Sequence, residues 1–459
     1  MYSKLLNKVS HKLFEPVDAS SIVFVRVAFG LLIPWELSYY WPHIENMFLG
    51  SPVHFTYYGF GWVQPLPGVG LYYLFAIVGV LSILIALGLF YRIVTPLFFL
   101  GISYIFLLDM SFFLNHMYLV CLLGFLFIFI PCNRYFSLDA LINPKLRTPF
   151  IPLWSLLLLR VQIGIPYFYG GLAKLNPDWL DGEPMRTWLP EFVSTPLLSQ
   201  FLREEWVAYL FSYGGLSFDL LIVPLLLYRR TRPFAYTVAV MFHLTNAYIF
   251  KLGIFPWLMM AATLLFFPPD WPRQLLARVQ RKESPLEHEA ASLPEISPFY
   301  RLITTHGVIL YLAFQLLMPF RQGLYPGSSS WTQEGYSLSW NMMLDAKRHK
   351  IVFNVTDPKS GRKREFPPER VRIKFMSDRQ FRKMSSSPDM IIQFSHYLAE
   401  RFREKGYPDV EVRARVHVSL NGRRPQLLID PSVDLSKVKR RLWPPAPWIL
   451  PLKQKYLAR

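Results

Sequence analysis

The stretch LWSLLLLRVQIGIPYFYGGLAKLNPDW, residues 153–179, decides the fold. Its first 21 residues, 153–173, are predominantly apolar, and about 20 such residues are what a bilayer-crossing helix needs. The run closes on Lys174, among aromatic and small residues at what reads as a membrane edge. A lysine there is either an anchor whose amine snorkels to water or a catalytic base. The rest of the chain decides between the two.

Runs of the same kind recur. Spans are expected at 21–40, 70–90, 93–108, 114–131, 153–173, 206–228, 234–250, 253–267 and 305–320, the third and the last three being short. The whole chain of 459 residues is 52% hydrophobic and only 17% charged, too apolar for an ordinary soluble protein. Basic residues sort by side, which sets orientation. With the lysine-rich N-terminus inside, the inner connections carry Arg92, then Arg134, Lys145 and Arg147, then Arg229, Arg230 and Arg232, then Arg273, Arg278, Arg281 and Lys282. The outer connections 41–69 and 174–205 carry no Lys or Arg and an acidic excess, respectively. An odd number of spans then puts the N-terminus in the cytoplasm and the C-terminal domain on the extracytoplasmic side.

From Trp331 the texture changes. HKIVFNV, VEVRARVHVSL and PQLLID alternate as strands do, with NG and DP turn signals between them. Residues 388–405 have the spacing of an amphipathic helix. The expected architecture is an α-helical polytopic membrane domain, residues 1–320, followed by a β-rich α+β domain, residues 321–459. A polar, proline-punctuated linker at 282–298 precedes the last span. The formal net charge is +18, and from Arg321 onward basic residues outnumber acidic ones about two to one. That excess suits an anionic partner or a headgroup surface as well as a merely solvated face. Cys121 and Cys132 stand eleven residues apart, roughly 16 Å along a helix, too far to pair.

Ionisable groups inside spans are costly and are functional candidates by default. Arg160 and Asp219 fall at similar depth in their spans, so an ion pair between them is expected as a structural element. Arg26 and Glu36 read as packing or interface groups. A second set gathers at the outer edge: Asp109, Asn115 and His116 at the start of the fourth span, Lys174 at the end of the fifth, and His243 and Asn246 on one face of the seventh. Each alone could be a satisfied interhelical hydrogen bond; their convergence at one level argues for a site. GxSxG, Walker, dinucleotide and HExxH patterns do not occur, and the His and Cys spacing supports no metal centre.

Five dispersed segments, in order, resemble the vitamin K-dependent γ-glutamyl carboxylase family and its bacterial relatives: LLDMSFFLNHMYL, YFYGGLAKLNPDW, MFHLTNAYIFKLGIFPWLMM, EGYSLSWNMML and LLIDPSVDL. The resemblance implies an enzyme that couples oxygenation of a reduced naphthoquinone (reduced vitamin K or a menaquinol type) to its 2,3-epoxide with carboxylation of glutamate to γ-carboxyglutamate. O₂ and CO₂ are the co-substrates, with no metal. Partners would be the bilayer and a glutamate-containing protein or peptide, and not nucleic acid. Lys174 matches the family lysine that deprotonates the hydroquinone, and His116 the histidine of the carboxylation step. Desolvation among Tyr167, Phe168, Tyr169 and Leu172 would favour the neutral amine a base requires. Asn115, His243 and Asn246 could bond quinol oxygens, and Met342 and Met343 could meet its ring as adaptable apolar contacts. The chain differs from the vertebrate enzyme in a shorter C-terminus, in Ala173 before the lysine, and in lacking that enzyme's disulfide. Epoxidation without carboxylation is the alternative within enzymes; a non-catalytic receptor or transporter is the alternative outside them, although the repeated halves of a transporter are missing.

Overall fold

The computed structural model describes residues 2–192, 196–281, 293 and 295–453; most of the expected 282–298 linker lies outside them. A helical bundle comes first: α1 (Tyr2–Leu13), α2 (Ser20–Tyr40), α3 (Gly70–Leu87), α4 (Tyr91–Leu107), α5 (Asn115–Phe129), α6 (Leu153–Lys174), α7 (Glu205–Leu227), α8 (Arg232–Phe250), α9 (Phe255–Thr263), α10 (Trp271–Gln280) and α11 (Pro298–Leu317). Two short strands, β1 (Pro16–Asp18) and β2 (Phe150–Pro152), pair antiparallel and fix the approach to α2 and α6.

Among the described residues, five helical stretches are long and apolar enough to cross a membrane: Ser20–His43, Gly70–Leu87, Leu153–Lys174, Glu205–Leu227 and Pro298–Leu324. Tyr91–Leu107, Asn115–Phe129 and Phe255–Phe266 are apolar but shorter, and Arg232–Phe250 is not among the five. The sequence placed nine spans; five meet the full length and apolarity of a crossing. The apolar stripes of α3 (Tyr73, Ile77, Val80), α4 (Ile93, Leu97, Leu100) and α11 (Ile303, Leu310, Leu317) face outward and exposed, as lipid-facing surfaces are. Arg26 is held inside, donating to the carbonyls of Cys132 at 2.6 Å, Ala86 at 3.1 Å and Phe136 at 2.7 Å; it is a packing group, as expected. Cys121 and Cys132 are both free.

The C-terminal domain is α+β. Its antiparallel sheet has the order β4-β3-β5-β6, from β3 (Lys347–Thr356), β4 (Lys363–Phe366), β5 (Glu411–Leu420) and β6 (Gln426–Leu427). Residues alternate along β5, with Val412, Ala414, Val416, Val418 and Leu420 buried, the period-two signature of a one-faced sheet. Helices α12 (Pro368–Phe375), α13 (Asp378–Met384) and α14 (Pro388–Arg403) complete its core through Phe375, Phe381, Met384 and Phe394.

This domain docks on one end of the bundle. Arg423 grips Asp178 with two bonds of 2.6 Å, a bidentate arrangement that gives orientation as well as energy. Gln380 donates to Asp109 at 2.9 Å and to the carbonyl of Val53 at 2.9 Å. Ser51 donates to Phe375 O at 3.0 Å, and Asn115 to Asn341 O at 3.1 Å. The bundle residues involved belong to the connections 41–69, 108–115 and 174–205, all at the end where α6 finishes and α5 begins.

Candidate active site

Beneath that domain, two buried acid–base pairs stand at the same end of the bundle. Lys174 is the last residue of α6, and its Nζ donates to Asp219 Oδ2 at 2.6 Å and to Gly170 O at 3.2 Å. Nζ also lies 5.0 Å from the Trp179 ring centroid. Both partners of the pair are nearly sealed, with 8% and 6% of the side chain exposed, so this is no snorkelling amine.

The expected Arg160–Asp219 pair does not form. Arg160 donates instead to the carbonyls of Leu265 at 2.7 Å and Phe267 at 3.0 Å, near the end of α9. The reason is the offset of α6 and α7. The first turns of α7 run past the end of α6 to pack on the Pro177–Leu180 helix, where Trp179 Nε1 donates to Ser212 O at 2.6 Å. That register sets Asp219 opposite Gly170 and Lys174, with Gly171 against Leu220. Equal depth counted from span ends was therefore the wrong measure.

The second pair is His116, at the start of α5, with Glu36 of α2: Nε2 to Oε1, 3.1 Å. Glu36 Oε2 accepts from the Ile254 amide at 3.1 Å. Gly253 leaves room for it: a Cβ there would stand 2.8 Å from Oε2, at a φ of +57° that glycine adopts without strain. An ionised carboxylate only accepts, so Nε2 carries the proton and Nδ1 is the free nitrogen. Glu36 belongs to the site, although the sequence reading left it as a packing group. Its depth, at the outer end of the first span and level with His116, was the signal available.

Aromatic rings lie between the pairs. Tyr167 and His243 share a hydrogen bond of 2.6 Å. Phe218 stacks on Phe242 at 3.8 Å, and Phe255 lies 6.0 Å from His243 and 6.2 Å from His116. Tyr167 stands two turns before Lys174 on one face of α6, and Phe218 adjoins Asp219, so the rings connect the two polar centres. His243 Nδ1 is buried without a hydrogen-bond partner. Asn246, one turn further on, is half-buried. Of the residues expected to desolvate Lys174, Tyr167 and Tyr169 are buried, but Phe168 and Leu172 face outward; Asp219 and Trp179 are what surround the amine.

The C-terminal domain enters the site through Met342. A Cβ on Gly170 would stand 2.8 Å from Met342 Cε, and 3.3 Å from Asp219 Oδ2, so the glycine admits the thioether next to the lysine. Met343 packs instead in the apolar cluster of Trp179, Leu202 and Leu344. Asn115 ties α5 to the Asn341 carbonyl. Asp109 is structural: it caps Ser111 N at 2.8 Å and holds Gln380. A naphthoquinol fits this lining: an orphaned imidazole nitrogen, a glycine cradle under a thioether, and flat rings between two polar dyads.

The HTTM domain family matches residues 14–271, and the vitamin K-dependent gamma-carboxylase, lumenal domain, matches residues 300–455. The first match spans α2 to α9 and more than half of the chain; the second covers nearly all of α11 and the sheet domain that closes over Lys174. No solved structure gives a significant match. The chain belongs to the vitamin K-dependent gamma-glutamyl carboxylase family.

Proposed function

We propose that the protein is a quinol-dependent glutamyl carboxylase, spanning the membrane nine times with its N-terminus in the cytoplasm and residues 321–459 outside. One observation carries the reading: Lys174–Asp219 and His116–Glu36 stand at one end of the bundle, joined by aromatic rings and covered by the domain that sends Met342 to Gly170. A lipid-soluble quinol and a water-borne glutamate can meet only at such a boundary.

When bound, the reduced naphthoquinone supplies, with O₂, the strong base that removes a γ-hydrogen from glutamate, and it leaves as the 2,3-epoxide. Lys174 Nζ takes the proton of the quinol hydroxyl. For that, the amine must first be free of its own proton, which Asp219, 2.6 Å away, is placed to receive. Asp219 holds that proton while Nζ takes the quinol's, and only after passing it on to water is Asp219 again the carboxylate that pairs with the ammonium. The Tyr167–His243 pair and the rings of Phe218, Phe242 and Phe255 would hold the quinol's flat body, with Met342 above. On the glutamate side, Glu36 fixes the His116 ring through Nε2, and the imidazole so oriented would stand beside the charge that develops at the γ-carbon before CO₂ adds.

The test is a single incubation of purified protein with reduced naphthoquinone, O₂, labelled bicarbonate and a glutamyl peptide. Epoxide and peptide-bound label together are expected. Epoxide without label would reduce the protein to an epoxidase, and neither product would overturn the enzyme reading.

A further inference from the structure

Lys174 is the last residue of α6, where a helix leaves its carbonyls without intrahelical partners and its backbone least constrained. An amine that must take a proton from such a place depends on what holds the chain beyond it. Asn176 makes the first hold. Its amide donates to Lys174 O at 2.8 Å, its Nδ2 donates to Ala173 O at 2.7 Å, and its Oδ1 accepts from the Trp179 amide at 3.0 Å. Trp179 is thereby turned back on the lysine, its ring centroid 5.0 Å from Nζ and its Nε1 tied to Ser212 O of α7 at 2.6 Å.

Asp178, next to Trp179, is held from outside the bundle. Besides the two bonds from Arg423, it accepts from Asn421 Nδ2 at 2.7 Å. Both donors stand in the turn between β5 and β6, and both are buried. Three bonds commit this carboxylate, four residues along the chain from Lys174, to the C-terminal domain, while Asp219 takes the amine.

Asn421 reaches the lysine by a second route. Its φ of +50° is one that asparagine visits readily. From there its Oδ1 accepts from Ala346 N at 2.8 Å, its own amide donates to Ala346 O at 2.9 Å, and its Nδ2 also donates to Leu344 O at 3.2 Å. Residues 344–346 continue the segment of Met342, whose Cε would stand 2.8 Å from a Cβ on Gly170. Trp179 and Met342, which both close on the lysine, are therefore fixed by the same turn.

We propose that Asn421 and Arg423 are positioning residues of the lysine site: their turn holds Asp178 and the 344–346 segment, and so keeps Trp179 and Met342 packed on the Lys174 amine, aligned for the quinol and shut off from water. The proposal rests on the carboxylase reading. Neither residue touches quinol or glutamate; each acts through Trp179 or Met342. Docking of the domain is a separate role, because the seam has other contacts of the same kind. Arg440 donates to Thr56 O at 2.8 Å, and that contact leads to the 41–69 connection rather than to Lys174.

The test compares Arg423→Gln with Arg440→Gln in the full-length protein in nanodiscs, with thermal unfolding as the folding control. In Arg423→Gln, kcat of quinol oxidation should fall about tenfold or more while the quinol KM stays within about twofold, because the aromatic rings that hold the quinol lie in the bundle. A second readout needs no turnover: acetylation of Lys174 by a water-soluble acylating reagent, read by peptide mass spectrometry, should rise several-fold in Arg423→Gln. Arg440→Gln should change neither. Asn421→Gly keeps the test valid if Arg423→Gln misfolds, since glycine adopts the same φ without strain and only the side-chain amide is lost; it should move both readouts in the same direction. Native kcat or native Lys174 acetylation in a folded variant overturns the proposal. So does a rise in KM that accounts for the loss, or equal losses in Arg440→Gln, which would reduce Arg423 to a docking contact. A wild-type protein that oxidises no quinol would sink the carboxylase reading, and acetylation of Lys174 would still decide the positioning.

Discussion

Asp219→Asn isolates the part of the lysine site that the sequence did not reveal. The substitution keeps the side chain's shape and one acceptor oxygen for Lys174 Nζ, now 2.6 Å away, and removes only the charge and the proton acceptor. Removing one partner of a buried pair typically costs about 3–5 kcal/mol, because the other charge is left uncompensated. The surviving hydrogen bond puts this case at the low end, about 3 kcal/mol. Charged to the transition state in which Nζ gains a proton, that is roughly a hundredfold loss in quinol oxidation. The assay is the initial rate of epoxide formation by chromatography, with thermal unfolding in the same detergent as a folding control. A stability cycle adds a second readout. Lys174→Met leaves Asp219 buried without its cation, so adding Asp219→Asn to it should raise stability, whereas Asp219→Asn alone should lower it; the coupling has the sign expected of a pair. Near-native epoxide formation by Asp219→Asn, or stability losses that simply add, would refute the pair as a functional unit.

Three further outcomes are expected. His116→Ala should lose CO₂ fixation by about a hundredfold or more while quinol epoxidation falls far less; parallel loss in a folded protein would reassign His116 to quinol binding. Burial, reinforced by Arg382 and Lys347, lowers the pKa of His349, whose Nδ1 has no partner. Between that lowered value and about 6.5 the unfolded chain binds a proton that the fold does not, so stability falls as pH drops through this window; thermal unfolding of His349→Gln should show a shallower acid slope than wild type, and an unchanged slope would exclude His349 as its source. In sealed vesicles oriented as in the cell, Ser386→Cys should react with an impermeant thiol reagent from outside; labelling only after the cytoplasmic face is opened would reverse the proposed topology.

Much of the scaffold was legible because a single period governs it. The 153–173 run became α6, and the alternation of VEVRARVHVSL became β5 with its odd and even residues on opposite faces. The 388–405 helix reading differs from Pro388–Arg403 only at its end. The elements that hold the site were less visible. PERVRIKF and DRQFRKM are short and mostly polar, and they are helices here because Phe375, Phe381 and Met384 reach a core built from distant strands. The site itself was half legible. Depth counted along the apolar runs put Lys174, His116 and His243 at one level, and the structure sets them at one end of the bundle, but their partners depend on the offset of α7 past α6 and on the glycine at 253. Neither leaves a mark in hydropathy, so Asp219 was matched to Arg160 and Glu36 was left to packing.

The most direct measurement is epoxide formation by Lys174→Arg. An anchor tolerates the exchange, since both side chains carry a positive charge on a long stem. A base does not, because a guanidinium cannot yield a usable neutral fraction. The account predicts a folded, membrane-inserted protein that oxidises the quinol about a hundredfold or more slowly than wild type. Oxidation at a near-native rate would contradict it and leave Lys174 as the cation of a structural pair.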